Sequence, residues 1–513
     1  MRRITKVTLL SMLSLLTLAA CGGGGGGGEN IDYSKVDKNK IAFTSADIVQ
    51  ESFGGLGVEW GAYEDTDKLV EGGWEKVLRH MDHLGAARIR LMVNYDWFCQ
   101  NFNNNGTLAH EDDTWTYNFN NKYARSMLDI LEYCETHDID VAFGAWNVIG
   151  NLYGDVWGMM DEVTSDIRWA KITADMLDFL VNKKGFSCIK WFVNSNEPNL
   201  VGTKDTSKNW NNTYEKWEQG VKNVRKALDK IGLQDITIIG GDTTGFEDSD
   251  TYLTNIAKNI PTQVGDYGIH LYLSNYDIDR GVTLQQVREL YSNVKKRDKK
   301  LGVDRQMDIW EAGLKDGKTV LDCQTLITTA NYAVRMMDFT LQCLAGGING
   351  MVYWDFDDAM HFMYDNETVT PKEWGMFSSL AEASSGMQEL RPWYHSSSLL
   401  CHLLKKGNKI YSPLQNHNQV NRTFRSLATI SPDGKQGGFV AVNAGLQTEE
   451  KTFYMDDIVE GDKLYVYIFN ADNYRLDGEG YIEPNYVIDG SLNKKFTISI
   501  PRSTGIVVSN TRL

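Results

Sequence analysis

Between Ile41 and Tyr394, short apolar runs alternate with stretches whose apolar residues recur every three or four positions. That rhythm predicts β-strands joined by amphipathic helices, an order that builds a parallel sheet. Eight runs qualify as strands: 54–60, 87–93, 140–146, 189–193, 236–241, 267–273, 307–312 and 351–356. Between them lie helical stripes such as Trp74, Val77, Leu78, Met81 and Leu84, or Trp217, Val221, Val224, Leu228 and Ile231. Eight strand-helix units close most economically into a (β/α)8 TIM barrel, expected here over residues 41–395.

Past Pro392 the pattern changes to short β-branched and aromatic runs separated by Gly, Asp and Asn turns, as around Phe439, Leu464, Phe496 and Ile506. Residues 396–513 are therefore expected to form an antiparallel β-sandwich. The apolar segment 40–49 is open to either reading, as a barrel leader or as an extra sandwich strand. Further upstream, Arg2, Arg3 and Lys6 precede an apolar run over 7–18 that is too short to span a bilayer, so residues 1–21 read as a signal peptide. Leu18-Ala19-Ala20-Cys21 resembles the lipobox of bacterial lipoproteins, with Cys21 as the lipidated residue, and Gly22 to Gly28 would begin a flexible tether over 22–40. The expected location is the bacterial cell envelope, with membrane contact only through the lipid; a soluble secreted protein is the alternative.

The net charge of −16 excludes nucleic acid and anionic membrane surfaces as natural partners. Fourteen Trp and 24 Tyr suit a neutral, hydroxyl-rich ligand, because aromatic faces stack on sugar rings while polar edges reach hydroxyls; ordinary core packing must account for most of them. The six cysteines besides Cys21 have no metal-site spacing. Cys134, Cys188 and Cys343 sit where buried thiols act as small hydrophobes, and Cys323 with Cys343 is the pair to check for a bridge. No cofactor motif is present, and the chain is expected to act as a monomer.

The C-terminal ends of barrel strands form the functional face of such a fold. In the fourth run, Trp191-Phe192-Val193 gives way to Asn194-Ser195-Asn196-Glu197-Pro198, where proline ends strand pairing beside a carboxylate. Taken alone, that stretch also fits a capping Asn and a solvated Glu. The other ends add Arg90, Trp146 with Asn147, His270 with Tyr272, Glu311, and Trp354. Glu197 and Glu311 thus face each other across one surface, and a carboxyl pair is what glycosidic cleavage needs: one to protonate the leaving oxygen, one to attack or to activate water.

In their order, Asn196-Glu197-Pro198, His270-Leu271-Tyr272, Ile309-Trp310-Glu311-Ala312-Gly313 and Tyr353-Trp354 resemble the clan A glycoside hydrolases over residues 50–395, nearest to cellulase-like family 5 and next to family 39. The resemblance implies that Glu197 is the acid/base and Glu311 the nucleophile of a retaining hydrolase of β-linked glycans. It implies that Asn196 bonds the sugar's 2-hydroxyl, Tyr272 orients Glu311, His270 adds a donor, Arg90 keeps Glu311 ionised and Trp354 lies under the sugar. A core-capping His270, a salt-bridging Arg90 and a packing Trp354 are the structural alternatives. One departure stands out: the third strand of family 5 usually ends in histidine, and here Gly144-Ala145-Trp146-Asn147 takes its place. Long aromatic loops carrying Trp97, Trp115, Tyr153, Trp157, Trp210, His361 and Trp374 would wall the site. A carbohydrate-binding lipoprotein without catalysis and a transglycosylase are the competing functions.

Overall fold

A computed structural model describes residues 36–513 apart from 62–71, 104–109, 111, 147–163, 201–209, 321, 359–361, 366–367, 372, 379–389, 417–421 and 457–460. Eight parallel strands close a barrel: β1 (Gly55–Glu59), β2 (Arg88–Val93), β3 (Asp140–Ala145), β4 (Ile189–Val193), β5 (Thr237–Thr244), β6 (Asp266–Leu273), β7 (Met307–Leu314) and β8 (Gly350–Tyr353). Each lies within three residues of its sequence expectation. The helical stripes pack outside; Gly73–Leu84, for example, buries Val77, Met81 and Leu84 and ends on Gly85 in the left-handed region.

Inward positions repeat every second residue, and they fill the barrel with Met92, Ala142, Val193, Ile239, Trp310 and Val352. Two irregularities break that period near the C-terminal ends. Gly268 pairs with Gly241 but Ile269 with Thr243, so Asp242 is an extra residue in β5. Ile269 pairs with Ile309 but His270 with Glu311, so Trp310 is an extra residue in β7. A bulge re-aims the side chains beside it. After inward Asp308 and Trp310, Glu311 would face outward in a regular strand.

The C-terminal strands form a seven-stranded sheet and a three-stranded sheet around a second apolar core that includes Phe439, Phe453, Val466 and Ile506. Segment 40–49 belongs here. Lys40–Phe43 pairs in parallel with Glu449–Met455, and Ile48–Gln50 pairs antiparallel with Lys409–Tyr411. The expected barrel start at 41 therefore falls in a sandwich strand, and the expected boundary at 395/396 falls inside helix Pro392–Leu403. Arg425 of strand Phe424–Ile430 joins the two parts through a buried ion pair with Asp338 of helix Ala330–Gly346.

All six cysteines in the described residues are free, five of them buried, so Cys323 and Cys343 are not bridged. No helix among the described residues is long and apolar enough to cross a membrane. Cys21 and residues 22–35 of the expected tether lie outside the described residues, and Lys40, its expected last residue, already belongs to the strand paired with Glu449–Met455.

Candidate active site

The loop after β4 is pinned before its carboxylate is placed. Buried Asn199 accepts from Thr244 N–H at 3.0 Å and donates to Thr244 C=O at 2.9 Å, which ties this loop to the end of β5. Glu197 N–H donates to Asp242 C=O at 3.1 Å. Both residues sit in the left-handed region, Glu197 at φ 44° and Asp242 at φ 54°. Such a conformation costs free energy for residues with a Cβ, and here neighbouring bonds hold both of them in it.

Arg90 is the hub. Its Nη1 donates to Glu59 Oε2 and Glu311 Oε1, both at 2.8 Å, and its Nη2 donates to Asn196 Oδ1 at 2.7 Å and Asp242 Oδ2 at 2.9 Å. The Trp146 ring lies over the same guanidinium, 5.4 Å from its centroid. Tyr272 donates its hydroxyl to Glu311 Oε2 at 2.8 Å. His270 stands between carboxylates: Nε2 is 2.9 Å from Asp242 Oδ1, and Nδ1 is 3.0 Å from Glu197 Oε1 and 3.5 Å from Glu311 Oε2. The donor expected from His270 thus serves Glu197 first.

Charge follows from this arrangement. Burial alone would lower His270, but the charges of Asp242 and Glu311 raise it to about 10, so the ring is an imidazolium at neutral pH. Burial would raise Asp242, yet His270 and Arg90 hold it below its ordinary value. Burial holds Glu311 above its ordinary value, with the charge of Glu197 adding to the rise, and His270, Arg90 and the Tyr272 hydroxyl offset only part of it. The groups bonded to its oxygens, Arg90 and Tyr272, are donors, the arrangement a carboxylate accepts. Glu59 is raised to about 8, chiefly by burial and against the pull of Arg90. Two cations balance two carboxylates here, and a further buried anion is costly.

Oxygens of Glu197 and Glu311 and a nitrogen of His270 lie within 4.8 Å of one another, a spacing that would suit a metal ion. Arg90 and Tyr272 already donate to both oxygens of Glu311, so the same spacing also suits a carboxyl pair held by hydrogen bonds.

Trp146 and Trp354 meet edge to face at 5.8 Å, forming a corner at the rim. Trp374 packs edge-on against Tyr272 at 5.8 Å, whereas Trp97 stacks on Tyr123 and Trp115 packs against Phe102, which makes these two loop aromatics packing residues. Asn147, Tyr153, Trp157 and His361 lie outside the described residues, as does the side chain of Trp210. The structure thus brings together Arg90, Trp146, Asn196, Glu197, His270, Tyr272, Glu311 and Trp354. It adds three carboxyls that sequence reasoning missed: Glu59, Asp242 and Asp355, the last fully buried and held well above its ordinary value, chiefly by burial. An acid inside an otherwise apolar strand end was the available signal for Glu59.

No family model matches the chain, and no curated protein is similar to it in sequence. Solved structures do share its fold. A family 51 α-L-arabinofuranosidase of Bifidobacterium longum superposes with a TM-score of 0.61 at 13% identity, covering 93% of this chain and 100% of that one. A glycoside hydrolase family 30 endoxylanase of Clostridium papyrosolvens gives 0.59 at 13%, over 92% and 99%. A family 39 β-xylosidase of Caulobacter crescentus gives 0.57 at 13%, again over 92% and 99%. The shared fold is a barrel with C-terminal β-strands, and these neighbours are clan A glycoside hydrolases.

Proposed function

We propose that this chain is a retaining glycoside hydrolase that cleaves β-linked glycans by double displacement. One observation carries the reading: one oxygen of Glu197 and one of Glu311 lie within 4.8 Å of each other. Retaining enzymes hold their carboxyls about 5 to 5.5 Å apart, whereas inverting ones need about 6.5 to 9.5 Å for an intervening water. Glu311, fixed by Arg90 and Tyr272, attacks the anomeric carbon while Glu197 gives its proton to the leaving oxygen. Glu197 then takes a proton from the water that releases the sugar from Glu311. Because Asn196 Oδ1 accepts from Arg90, its Nδ2 is left to donate to the sugar's 2-hydroxyl, a bond that strengthens as the ring gains positive charge. The Trp146–Trp354 corner supplies the apolar wall.

A binding-only protein has no use for a phenol and a guanidinium both bonded to one buried carboxylate, and this favours catalysis; transglycosylation would use the same residues with a sugar acceptor. The family placement, 5 or 39, rests on the strand-end motifs, and a family 39 enzyme is among the structures that share the fold, beside those of families 30 and 51. We further propose a monomer that needs no cofactor or metal, held at the cell envelope through lipidated Cys21. The deciding experiment is NMR of the first product formed by protein lacking residues 1–28 from an activated aryl β-glycoside. The retained anomer is expected; early appearance of the inverted anomer refutes the role assignments.

A further inference from the structure

We propose that Asp242 is a positioning residue for this chemistry: it holds His270 doubly protonated, so that His270 donates to Glu197 throughout the catalytic cycle. The inference rests on the hydrolase reading above. It comes from what each atom can do. Asp242 is buried and carried inward by a bulge, with its backbone in the left-handed region. One of its oxygens takes Arg90 Nη2 and the other faces His270 Nε2. An ionised carboxylate only accepts, so Nε2 must carry a hydrogen. Nδ1 faces two carboxyl oxygens at once, Glu197 Oε1 at 3.0 Å and Glu311 Oε2 at 3.5 Å, and a hydrogen on Nδ1 serves both acceptors, which places the second one there.

The groups facing the ring are Asp242 from β5, Glu197 after β4 and Glu311 from β7; Arg90 stands behind Asp242, and Tyr272, on β6 with His270, reaches Glu311. With Nδ1–H on Oε1, the proton that Glu197 donates resides on Oε2. When the leaving oxygen takes that proton, Glu197 becomes a carboxylate already bonded to a cation, and His270 keeps both of its own protons. The fixed imidazolium therefore stabilises the charge that develops on Glu197 as bond cleavage proceeds.

Asp242→Asn tests this, because Arg90 can only donate: the Asn oxygen must turn toward Arg90, which aims the amide N–H at Nε2 and forces a neutral ring. Loss of the cation should matter where protonation of the leaving group matters. For alkyl or disaccharide substrates kcat/KM should fall by at least about tenfold, within the range that general acid catalysis supplies. For a dinitrophenyl glycoside, whose leaving group needs no proton, the loss should stay within about threefold. A merely structural role would lower both equally, and that outcome overturns the proposal. Nitrogen-15 NMR of histidine-labelled wild-type protein gives an independent answer and does not depend on the folding of a variant. Two protonated His270 nitrogens at pH 7 are expected; a neutral ring overturns the proposal. A wild-type protein that cleaves no glycoside sinks the hydrolase reading and with it the role of Asp242, while the NMR result then decides only the protonation state.

Discussion

Arg88 and Arg90 lie two residues apart on β2, face the same barrel interior and are both fully buried, yet they meet different surroundings. Arg88, at the N-terminal end, is sealed. It pairs with Asp308 at 3.2 Å, donates twice to Gly54 C=O, and lies over the rings of Trp191 and Trp310 at 5.0 and 5.2 Å. Glycine makes room for it: a Cβ on Gly350 would come within 2.2 Å of its guanidinium. Arg90, at the C-terminal end, meets Glu59, Asp242 and Glu311 at once. One cation against one carboxylate, closed off by aromatic faces, stabilises a fold. One cation against three carboxylates, with His270 sharing the excess, is an arrangement in which protons must be held in particular places.

The largest expected effect at the upper end is on Glu311. Glu311→Ala should lower turnover by on the order of 10³-fold or more while leaving the fold and glycan binding largely intact. Steady-state rates and a glycan-binding titration on the same preparation would check it, and near-normal turnover would refute the nucleophile assignment.

Replacing each arginine by methionine separates the two ends. Arg90→Met should cut turnover by about 10²-fold or more, the scale on which loss of one preorganised donor slows an enzyme. It should also destabilise the protein, because Asp242 and Glu311 lose their shared counter-charge. Arg88→Met should cost about 3 to 5 kcal/mol of stability, as breaking a buried pair does, and leave turnover per folded molecule nearly unchanged. Thermal unfolding beside active-site-normalised rates distinguishes them. Equal losses of activity in both variants would erase the functional difference between the two ends.

The sequence revealed the alternation of elements, and with it Arg90, Asn196, Glu197, His270, Tyr272 and Glu311 at strand ends, because burial on both faces leaves parallel strands as apolar runs with abrupt polar ends. It did not reveal Asp242. Gly240-Gly241 reads as the end of a strand, and the strand continues to Thr244 only because a bulge absorbs Asp242. Nor does spacing show that Glu311 faces inward, since period-two alternation after Trp310 points it outward. Glu59 was hidden differently: it lies inside the first expected strand, and its partner becomes visible only when β1 and β2 pair Glu59 with Arg90. The pairing of Lys40–Phe43 with Glu449–Met455 joins segments some 400 residues apart, which no local pattern encodes.

The smallest effect on turnover is expected where the two ends are compared through the pH dependence of stability. Glu59 has its ordinary value near 4.5 in the unfolded chain and about 8 in the fold, where burial disfavours its charge. Asp308, beside Arg88, moves for the same reason from 3.8 to about 6. In both cases the folded state keeps a proton that the unfolded state has released. The associated stability is therefore fully present below the unfolded value and is lost as pH rises through the folded one. Glu59→Gln keeps an oxygen for Arg90 and removes the titration, so its stability relative to wild type should rise with pH from about 4.5 to about 8, with a slope of up to about 1.4 kcal/mol per pH unit. Asp308→Asn should show the same sign, with its gain complete near pH 6. Urea midpoints at pH 5, 6.5 and 8.5 separate the two: between the last two points Glu59→Gln should still gain on wild type and Asp308→Asn should not. If Glu59→Gln gains nothing above pH 6.5, then Glu59 is already ionised there, and the upper end of the barrel carries one more buried charge than its two cations balance.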